Sequence, residues 1–311
     1  MVAEFQPRFT LTPLLQRQLV AVERTVGFLE AVRLQGDWLH ELRDEVRVGD
    51  ALASVQIEGA SLTRERAFTL VNNPPDTELS GSEREFLNYL AAFEAIDGLR
   101  GCKGAVLDRR DLCGLHAILV RGVRGGYTNA GRFREEPVVI GDKVEGEVVV
   151  RHDPPPHVQV EAHVDELMGW LERVKQHPKR YRLERGDADP WIHPVLAAGI
   201  AQHRLVWIHP FLDGNGRSAR MFTAMVLYQR GYDFKYLFDL SSYYNHKRDK
   251  YYDALRTADQ TGDYTRWLEY FVGGFALQMF GIRAKARKLA AHEVAGEGGA
   301  SHGSEEPRAE G

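Results

Sequence analysis

The chain has 311 residues, of which 43% are hydrophobic, and its formal net charge is −4. This length and apolar content can bury a core in one large domain or two small ones. The negative charge argues against nucleic acid as the main partner, and no apolar run is long enough to predict a membrane span. Cys102 and Cys113 fit no zinc spacing and indicate reduced thiols, so we expect a cytoplasmic protein without a signal peptide.

Helical patterns dominate the first part of the chain. Thr12 and Pro13 predict an N-cap and a first helical residue, and apolar residues then recur at intervals of four and three at Leu15, Leu19, Val22, Val26 and Leu29. A second helical pattern surrounds Trp38. A separate short helix is predicted from about Asp50 until Gly59 ends it.

The pattern stays helical to about residue 120 and then changes. Thr63 is a predicted helix cap, and Ser82 or Glu83 is expected to open the next helix. Glycine and β-branched residues then dominate the stretch GGYTNAGRFREEPVVIGDKVEGEVVVRHDPPP. Residues 138–140 and 147–151 flank a glycine-containing turn, which predicts a β-hairpin.

Helices resume at about Val158, and Pro194 opens an apolar helix that leads to His209. The next helix, expected to begin near Arg217, is apolar on nearly all sides and should be central. Two more helical patterns follow, YYDALRTAD and YTRWLEYFVGGFALQMFGIRAKARKL. Residues 288–311 are small, polar and glycine-rich, and we expect them to be disordered.

The run from His209 to Arg220, HPFLDGNGRSAR, combines a base, a carboxylate, a glycine turn and two arginines. Asp213 offers Mg²⁺ a hard oxygen ligand, and the glycines let backbone N–H groups approach an anion. The following helix N-terminus adds unpaired donors and positive partial charge. Arg217 and Arg220 lie one turn apart and are predicted to face the same ligand. With an ordinary pKa of about 6.5, His209 is suited to taking a proton from a hydroxyl.

This run resembles the signature of the Fic family (filamentation induced by cAMP), HxFx(D/E)GNGRxxR, and meets every fixed position. The resemblance implies an all-α Fic fold with a small β-hairpin flap. It also implies a nucleotidyltransferase that moves AMP from ATP to a Ser, Thr or Tyr hydroxyl of a protein. His209 would be the base, Asp213 the Mg²⁺ ligand and Phe211 an inward anchor, with ATP phosphates bound by Asp213, Gly214, Asn215, Gly216, Arg217, Ser218, Ala219 and Arg220. The plain alternative is a helix–turn–helix corner with solvated arginines.

A second string, SVQIEG from Ser54 to Gly59, resembles the (S/T)xxxE(G/N) inhibitory motif that some Fic proteins carry on an N-terminal helix. Ser54 and Glu58 lie one turn apart and can face the same way. The Glu58 carboxylate is expected to form a bidentate pair with Arg220, which would occupy the arginine meant for the γ-phosphate. The alternative is that Glu58 is a solvated glutamate at a helix end.

Two further sets of residues depend on the resemblance. The string GRFR, residues 131–134, resembles the entry to the family's flap, whose edge holds the target segment by strand addition. The flap residues would be Val138, Val139, Ile140 and Gly141. Positions that match the family's adenine pocket are Tyr251, Tyr252 and Asp259. An ordinary edge hairpin and core tyrosines are the alternatives.

We therefore predict a helical region at residues 1–104 with an inhibitory helix at about 50–58, and a Fic core at residues 105–287. Three other functions stay open. The same site could remove AMP with Glu58 orienting a water, it could transfer phosphate like kinase-like relatives, or the protein could sense ATP without turnover. Gly216 argues against the kinase-like class, which carries lysine there, and an intact His209 argues against a sensor. The expected partners are ATP and a target protein, including the protein itself, with a homodimer left open.

Overall fold

A computed structural model describes residues 2–31, 37–73, 78–98, 106–123, 129–144, 147–175, 192–232 and 239–299 of the protein. The described residues form eleven α-helices: α1 (Pro13–Ala31), α2 (Asp37–Ile57), α3 (Arg64–Asn72), α4 (Gly81–Gly98), α5 (Arg109–Leu119), α6 (Val160–Arg173), α7 (Pro194–Ile208), α8 (Asn215–Gln229), α9 (Leu240–His246), α10 (Arg248–Thr261) and α11 (Thr265–Gly299). One antiparallel hairpin, β1 (Ile140–Val144) and β2 (Glu147–His152), lies between α5 and α6. The predicted all-α fold with a small hairpin is confirmed.

Side chains cap several helices at the predicted positions. Thr12 Oγ1 accepts the N–H of Leu15 at 3.2 Å at the start of α1. The side chain of Thr63 accepts an N–H in the first turn of α3. Pro194 is the first residue of α7, and the preceding His193 caps that helix through its side chain. The first N–H groups of a helix need acceptors outside it, so these starts can be identified from local sequence.

Helices α7 and α8 form the centre of the molecule, and most of their residues are buried. The predicted central position of the second motif helix is therefore confirmed. Helix α11 packs closely on α7 at Gly199, where a Cβ would lie 2.7 Å from the Phe271 ring. Trp267 Nε1 also donates to Gly199 O at 2.7 Å. The glycine thus lets an aromatic helix approach the helix that leads into the motif.

Two predicted helix starts in the N-terminal region are wrong. Helix α2 is continuous from Asp37 to Ile57, whereas two helices were predicted, because a lone Gly49 does not end a helix rich in helix-forming residues. Helix α4 begins at Gly81 because Ser80 is its cap. Ser80 Oγ accepts the N–H of Glu83 at 3.3 Å, and Glu83 Oε2 accepts the N–H of Ser80 at 2.8 Å.

Two predicted boundaries in the C-terminal half also differ. Helix α8 begins at Asn215 instead of near Arg217, because Gly214 serves as its N-cap. Helix α11 continues to Gly299, so the prediction of disorder from residue 288 is wrong for this part of the tail. The stretch LAAHEVA contains good helix formers, which favours continuation of the preceding helix. Residues 300–311 lie outside the described residues.

The hairpin begins two residues later than predicted. Ile140 pairs with His152, and Gly141 pairs with Val150 across an irregularity in the register. The prolines that follow β2 at residues 154–156 lack the N–H group that a longer ladder would need. Pairing therefore ends at Ile140, and the predicted flap residues Val138 and Val139 precede the strand.

Within the described ranges, no helix combines the length and apolarity that crossing a bilayer requires. Cys113 on α5 is a free thiol, and burial raises its pKa. Cys102 lies outside the described residues.

Candidate active site

The motif forms the connection between α7 and α8. Helix α7 ends at Ile208, and His209 follows in a left-handed conformation with φ 50° and ψ 60°. The N–H of His209 donates to Leu205 O at 3.0 Å and closes the helix. Helix α8 then begins after Gly214, which is also left-handed, with φ 73°. Two left-handed residues therefore turn the chain between two buried helices.

Side chains hold this loop in shape. Asn215 Oδ1 accepts the N–H of Phe211 at 2.9 Å, and Asn215 Nδ2 donates to Phe211 O at 2.8 Å. Phe211 is fully buried, as predicted, and stacks on His116 with ring centroids 3.7 Å apart. His116 Nδ1 accepts the N–H of Gly131 at 2.9 Å, so Nε2 carries the proton and donates to Asp213 O at 3.1 Å. His116 was not among the residues predicted from the sequence, because its partners are distant in the chain.

A carboxylate lies against the first turn of α8. The N–H groups of residues 215–217 have no acceptor within the helix, because the N–H of Ser218 makes the first helical bond, to Gly214 O at 2.9 Å. A Cβ on Gly216 would lie only 2.2 Å from Glu58 Oε1. Glycine at this position therefore leaves room for an anion at a helix N-terminus, where the partial charge is positive.

Arg220 connects the motif to α2. Its Nε donates to Ser54 Oγ at 2.8 Å, and its Nη2 donates to Ser54 O at 2.9 Å and to Glu58 Oε1 at 2.8 Å. The expected contact between Glu58 and Arg220 is present, but the predicted bidentate geometry is wrong, since only Nη2 donates to Glu58 while Nε donates to Ser54. Glu58 lies just after Ile57, the last residue of α2, with a side chain 33% exposed against 3% for Arg220. Burial lowers the pKa of Arg220, but the Glu58 charge raises it above its ordinary value.

Arg217 contacts a different partner. Its Nη1 lies 3.3 Å from Glu85 Oε1 on α4, and its Nη2 lies 3.6 Å from Asp213 Oδ1. In this conformation Arg217 and Arg220 pair with different carboxylates, so a shared ligand for the two arginines stays a prediction. Positions three apart on a helix differ by about 60° in direction, which is enough to send one arginine to α4 and the other to α2. Among the described residues, Arg217 Nε and Nη1 have no hydrogen-bond partner.

Ser218 and Ala219 lie inside α8, and both are buried. The N–H of Ser218 already serves the helix. The expectation that these two residues bind phosphate therefore has no support from the geometry. Their small side chains instead let α8 pack at the centre of the protein.

His209 and Asp213 differ in their surroundings. Burial lowers the pKa of His209 to about 4, below the ordinary value assumed from the sequence. Its imidazole is therefore neutral at neutral pH and able to accept a proton. No described residue forms a hydrogen bond with its Nδ1. The side chain of Asp213 is 38% exposed, and its Oδ1 accepts the N–H of Gly214 at 2.7 Å.

The predicted adenine-pocket residues occupy different environments. Tyr251 is 2% exposed and stacks on Tyr244 with ring centroids 4.5 Å apart, so it belongs to the aromatic core. Tyr252 is 37% exposed, and burial of its hydroxyl and the nearby Glu58 charge raise its pKa. Asp259 Oδ1 lies 3.2 Å from His203 Nε2, and Oδ2 lies 3.5 Å from His152 Nδ1. Of the three, Tyr252 is the one exposed near Glu58.

The flap residues are partly accessible. Val139 is 55% exposed, while Val138 and Ile140 are half-buried. Within the described residues, β1 pairs with β2 alone.

The motif thus places the free N–H groups of a helix N-terminus near a neutral imidazole, an arrangement that suits an anion. The sequence model of the Fic/DOC family matches residues 106–227. A structure of a Fic family protein from Desulfovibrio desulfuricans G20 superposes with a TM-score of 0.70 at 26% identity, covering 93% of this chain and 78% of that one. Residues 106–227 of this chain therefore form a Fic/DOC family domain.

Curated relatives share the match over much of this chain. A protein named protein adenylyltransferase Fic from Culex quinquefasciatus is 25% identical over 79% of this chain and 43% of its own length. The protein of the same name from Aedes aegypti is 27% identical over 67% of this chain and 36% of its own length. The chain thus spans about two fifths of the length of these relatives. Fic-1 from C. elegans, with a TM-score of 0.66 at 19% identity, shows the same fold over 89% of this chain and 72% of that one.

Proposed function

We propose that this protein transfers AMP from ATP to a Ser, Thr or Tyr hydroxyl of a protein, and that Glu58 inhibits the transfer. The observation that carries this proposal is the Glu58 carboxylate against Gly216 at the N-terminus of α8 and 2.8 Å from Arg220. A site that holds a carboxylate between helix N–H groups and a guanidinium suits a phosphate equally well. The name shared by the curated relatives, protein adenylyltransferase Fic, supports the same reaction.

In the proposed reaction, His209 acts as the general base. Its neutral imidazole takes the proton of the target hydroxyl, and the hydroxyl oxygen attacks the α-phosphorus of ATP. The bond between the α-phosphorus and the bridging oxygen breaks, and pyrophosphate leaves. The low pKa of about 4 keeps His209 unprotonated over the physiological range.

The first turn of α8 and the two arginines are proposed to hold the triphosphate. The backbone N–H groups of residues 215–217 would face phosphate oxygens, as at other helix N-termini. The buried Nε of Arg217, which has no hydrogen-bond partner among the described residues, suits the same role. Arg220 would take the γ-phosphate once Glu58 has moved away.

Asp213 is proposed as the residue that holds Mg²⁺. Its partly exposed carboxylate fits the ion, which commonly binds one or two carboxylates together with substrate phosphates. When bound, Mg²⁺ would neutralise negative charge on the phosphates. The remaining residues of the loop do not depend on the ion for their position, because Asn215 and His116 hold them.

The inhibitory role of Glu58 follows from competition for Arg220. While its carboxylate contacts Arg220, the guanidinium is not available to fix the γ-phosphate, and ATP would bind with its α-phosphorus out of line with the hydroxyl. The domain division given above, with this inhibitor in residues 1–104, stays part of the proposal. We also propose a cytoplasmic location without nucleic-acid or membrane partners. A homodimer is left open.

The flap and base pocket are proposed to select the substrates. A target segment would add to the edge of the hairpin beside Val138, Val139, Ile140 and Gly141. Tyr252 is the proposed contact for adenine, with Tyr251 supporting it from the core. Asp259 contacts two histidines, so its proposed bond to the adenine amino group requires those contacts to change.

Position-specific labelling tests the proposal. We would incubate the wild type and Glu58→Gly with ATP labelled on either the α- or the γ-phosphate and measure protein-bound label. Only α-label should be retained, and more on Glu58→Gly. Retained γ-label would mean phosphate transfer, and ATP binding without any label would favour the sensor. If AMP-modified protein loses its label only when Glu58 is present, AMP removal would be favoured.

A further inference from the structure

The carbonyl groups at the end of α7 accept hydrogen bonds from the segments that flank the hairpin. The last carbonyl groups of a helix accept no hydrogen bond from the helix itself, so they need donors from other segments. His152 Nε2 lies 2.8 Å from Trp207 O. Arg134 contacts the next three carbonyls, of Ile208, His209 and Pro210, at 3.5, 2.8 and 2.9 Å, through Nη2, Nε and its backbone N–H respectively.

The same Arg134 guanidinium also holds the base of the hairpin. Nη1 donates to Glu136 O at 3.2 Å, before β1, and Nη2 donates to Pro155 O, after β2. Arg134 is only 3% exposed. Its described hydrogen-bond acceptors are backbone carbonyls, which suits the rigid fork of a guanidinium better than the single ammonium of a lysine. One side chain therefore joins both ends of the hairpin to the end of α7.

The backbone that Arg134 contacts is strained. His209 is the only described non-glycine residue with a positive φ. A left-handed conformation costs a residue with a Cβ about 1–3 kcal/mol. A residue that precedes proline, as His209 does, prefers the extended region. Without an outside contact, His209 would gain free energy by turning to that region, and its imidazole would move with it.

We propose that Arg134 is a positioning residue for His209, keeping the imidazole aimed at the target hydroxyl and tying its position to the hairpin. This proposal rests on the proposed AMP transfer, in which His209 is the base. None of the described contacts of Arg134 involves residues 213–220, so ATP binding does not depend on it. Loss of Arg134 should therefore lower kcat and leave the dissociation constant of ATP nearly unchanged.

The test compares three variants in whichever of the wild type and Glu58→Gly gives the stronger α-label transfer. Arg134→Ala removes the guanidinium, and Arg134→Lys retains a charge but not the fork. Arg230→Ala is the matched control, because Arg230 Nη2 donates to Leu171 O at 2.7 Å near the end of α6, remote from His209. Each variant is assayed for kcat, ATP affinity and thermal stability, with and without low-millimolar guanidinium.

We expect Arg134→Ala and Arg134→Lys to lower kcat about 100-fold, the order of loss for a displaced reacting group. Their ATP affinity should stay within about twofold of the parent, on the same reasoning. Guanidinium should restore part of the activity of Arg134→Ala. It should not change the activity of the control Arg230→Ala. A kcat close to that of the parent in Arg134→Lys, or equal losses of kcat and ATP affinity in both Arg134 variants, would overturn the proposal.

Hydrogen exchange provides a readout that does not need activity. The amide of His209 bonds to Leu205 O, and the amide of Phe211 bonds to Asn215. Both amides should exchange faster in Arg134→Lys than in the wild type. Their exchange rates should be unchanged in Arg230→Ala. If no parent protein transfers AMP, the proposed function fails, while this measurement still decides the positioning role. Unchanged exchange at both amides in Arg134→Lys would refute that role.

Discussion

Replacement of Glu58 by glycine tests the regulation most directly, because Glu58 contacts both Gly216 and Arg220. The variant removes one charged hydrogen bond, that between Glu58 Oε1 and Arg220 Nη2 at 2.8 Å. Such bonds contribute about 1.5–3 kcal/mol. Because the glutamate is 33% exposed, we take about 2 kcal/mol, towards the lower end of that range. Arg220 keeps its two bonds to Ser54, so the fold should survive.

This free energy sets the expected sizes of the effects. Glu58 follows the last residue of α2, so helix propensity adds no penalty. A loss of about 2 kcal/mol should lower Tm by about 4 °C in a chain of this size. If ATP must displace the carboxylate in the wild type, the variant should bind ATP up to about 30-fold more tightly. ATP should then raise the Tm of the variant more than that of the wild type.

The assay measures Tm with and without ATP together with α-label transfer. Glu58→Gln keeps the shape and removes the charge, and it should behave like Glu58→Gly to a smaller degree. Glu45→Ala is the control, because Glu45 lies on the same helix in an exposed ion pair with Arg64 and should change neither measurement. Equal Tm shifts on adding ATP to the wild type and Glu58→Gly, with no gain in transfer, would show that Glu58 does not compete with the triphosphate.

Three further predictions follow from the site. His209→Ala should abolish AMP transfer while calorimetry shows nearly unchanged ATP affinity, and equal loss of both would make His209 structural. Glu85→Ala should leave the buried Arg217 with only Asp213, 3.6 Å away, as a charged partner and reduce the free energy of unfolding by about 3 kcal/mol in urea. Burial lowers the pKa of His116 to about 4, so the unfolded chain binds the extra proton, and this residue alone should contribute a loss of about 3 kcal/mol in stability as pH drops from 6.5 to 4. That loss should level off below pH 4 and shrink in His116→Gln, and an unchanged slope would assign the effect to other groups.

Features encoded by neighbouring residues could be predicted from the sequence. The caps at Thr12 and Thr63 and the proline at the start of α7 each depend on residues within one turn. The motif from His209 to Arg220 is also continuous, so its glycines and its base could be assigned together. The hairpin was recognisable from its β-branched residues, although its first strand starts two residues later than predicted.

Contacts between distant segments could not be predicted in the same way. Arg217 pairs with Glu85 on α4, but nothing in the pattern of α4 distinguishes Glu85 from the other glutamates of that helix. His116 and Arg134 hold the motif loop through backbone carbonyls, which any residue could provide. The direction of each arginine depends on which helix packs beside α8. The contact between Glu58 and Arg220 was predictable only because a family resemblance links the two strings.

The packing of α2 also restricts how ATP could displace Glu58. Upstream of Glu58 the helix is fixed, because Asp50 Oδ1 accepts the N–H of Ser241 at 2.8 Å and Gln56 Oε1 accepts from Asn245 Nδ2 at 2.8 Å. Glu58 itself is a partly exposed side chain in a turn. Rotation of that side chain breaks one contact, whereas undocking α2 would expose a buried face. ATP should therefore displace the carboxylate alone, and the amides of α2 should keep their protection from hydrogen exchange at saturating ATP.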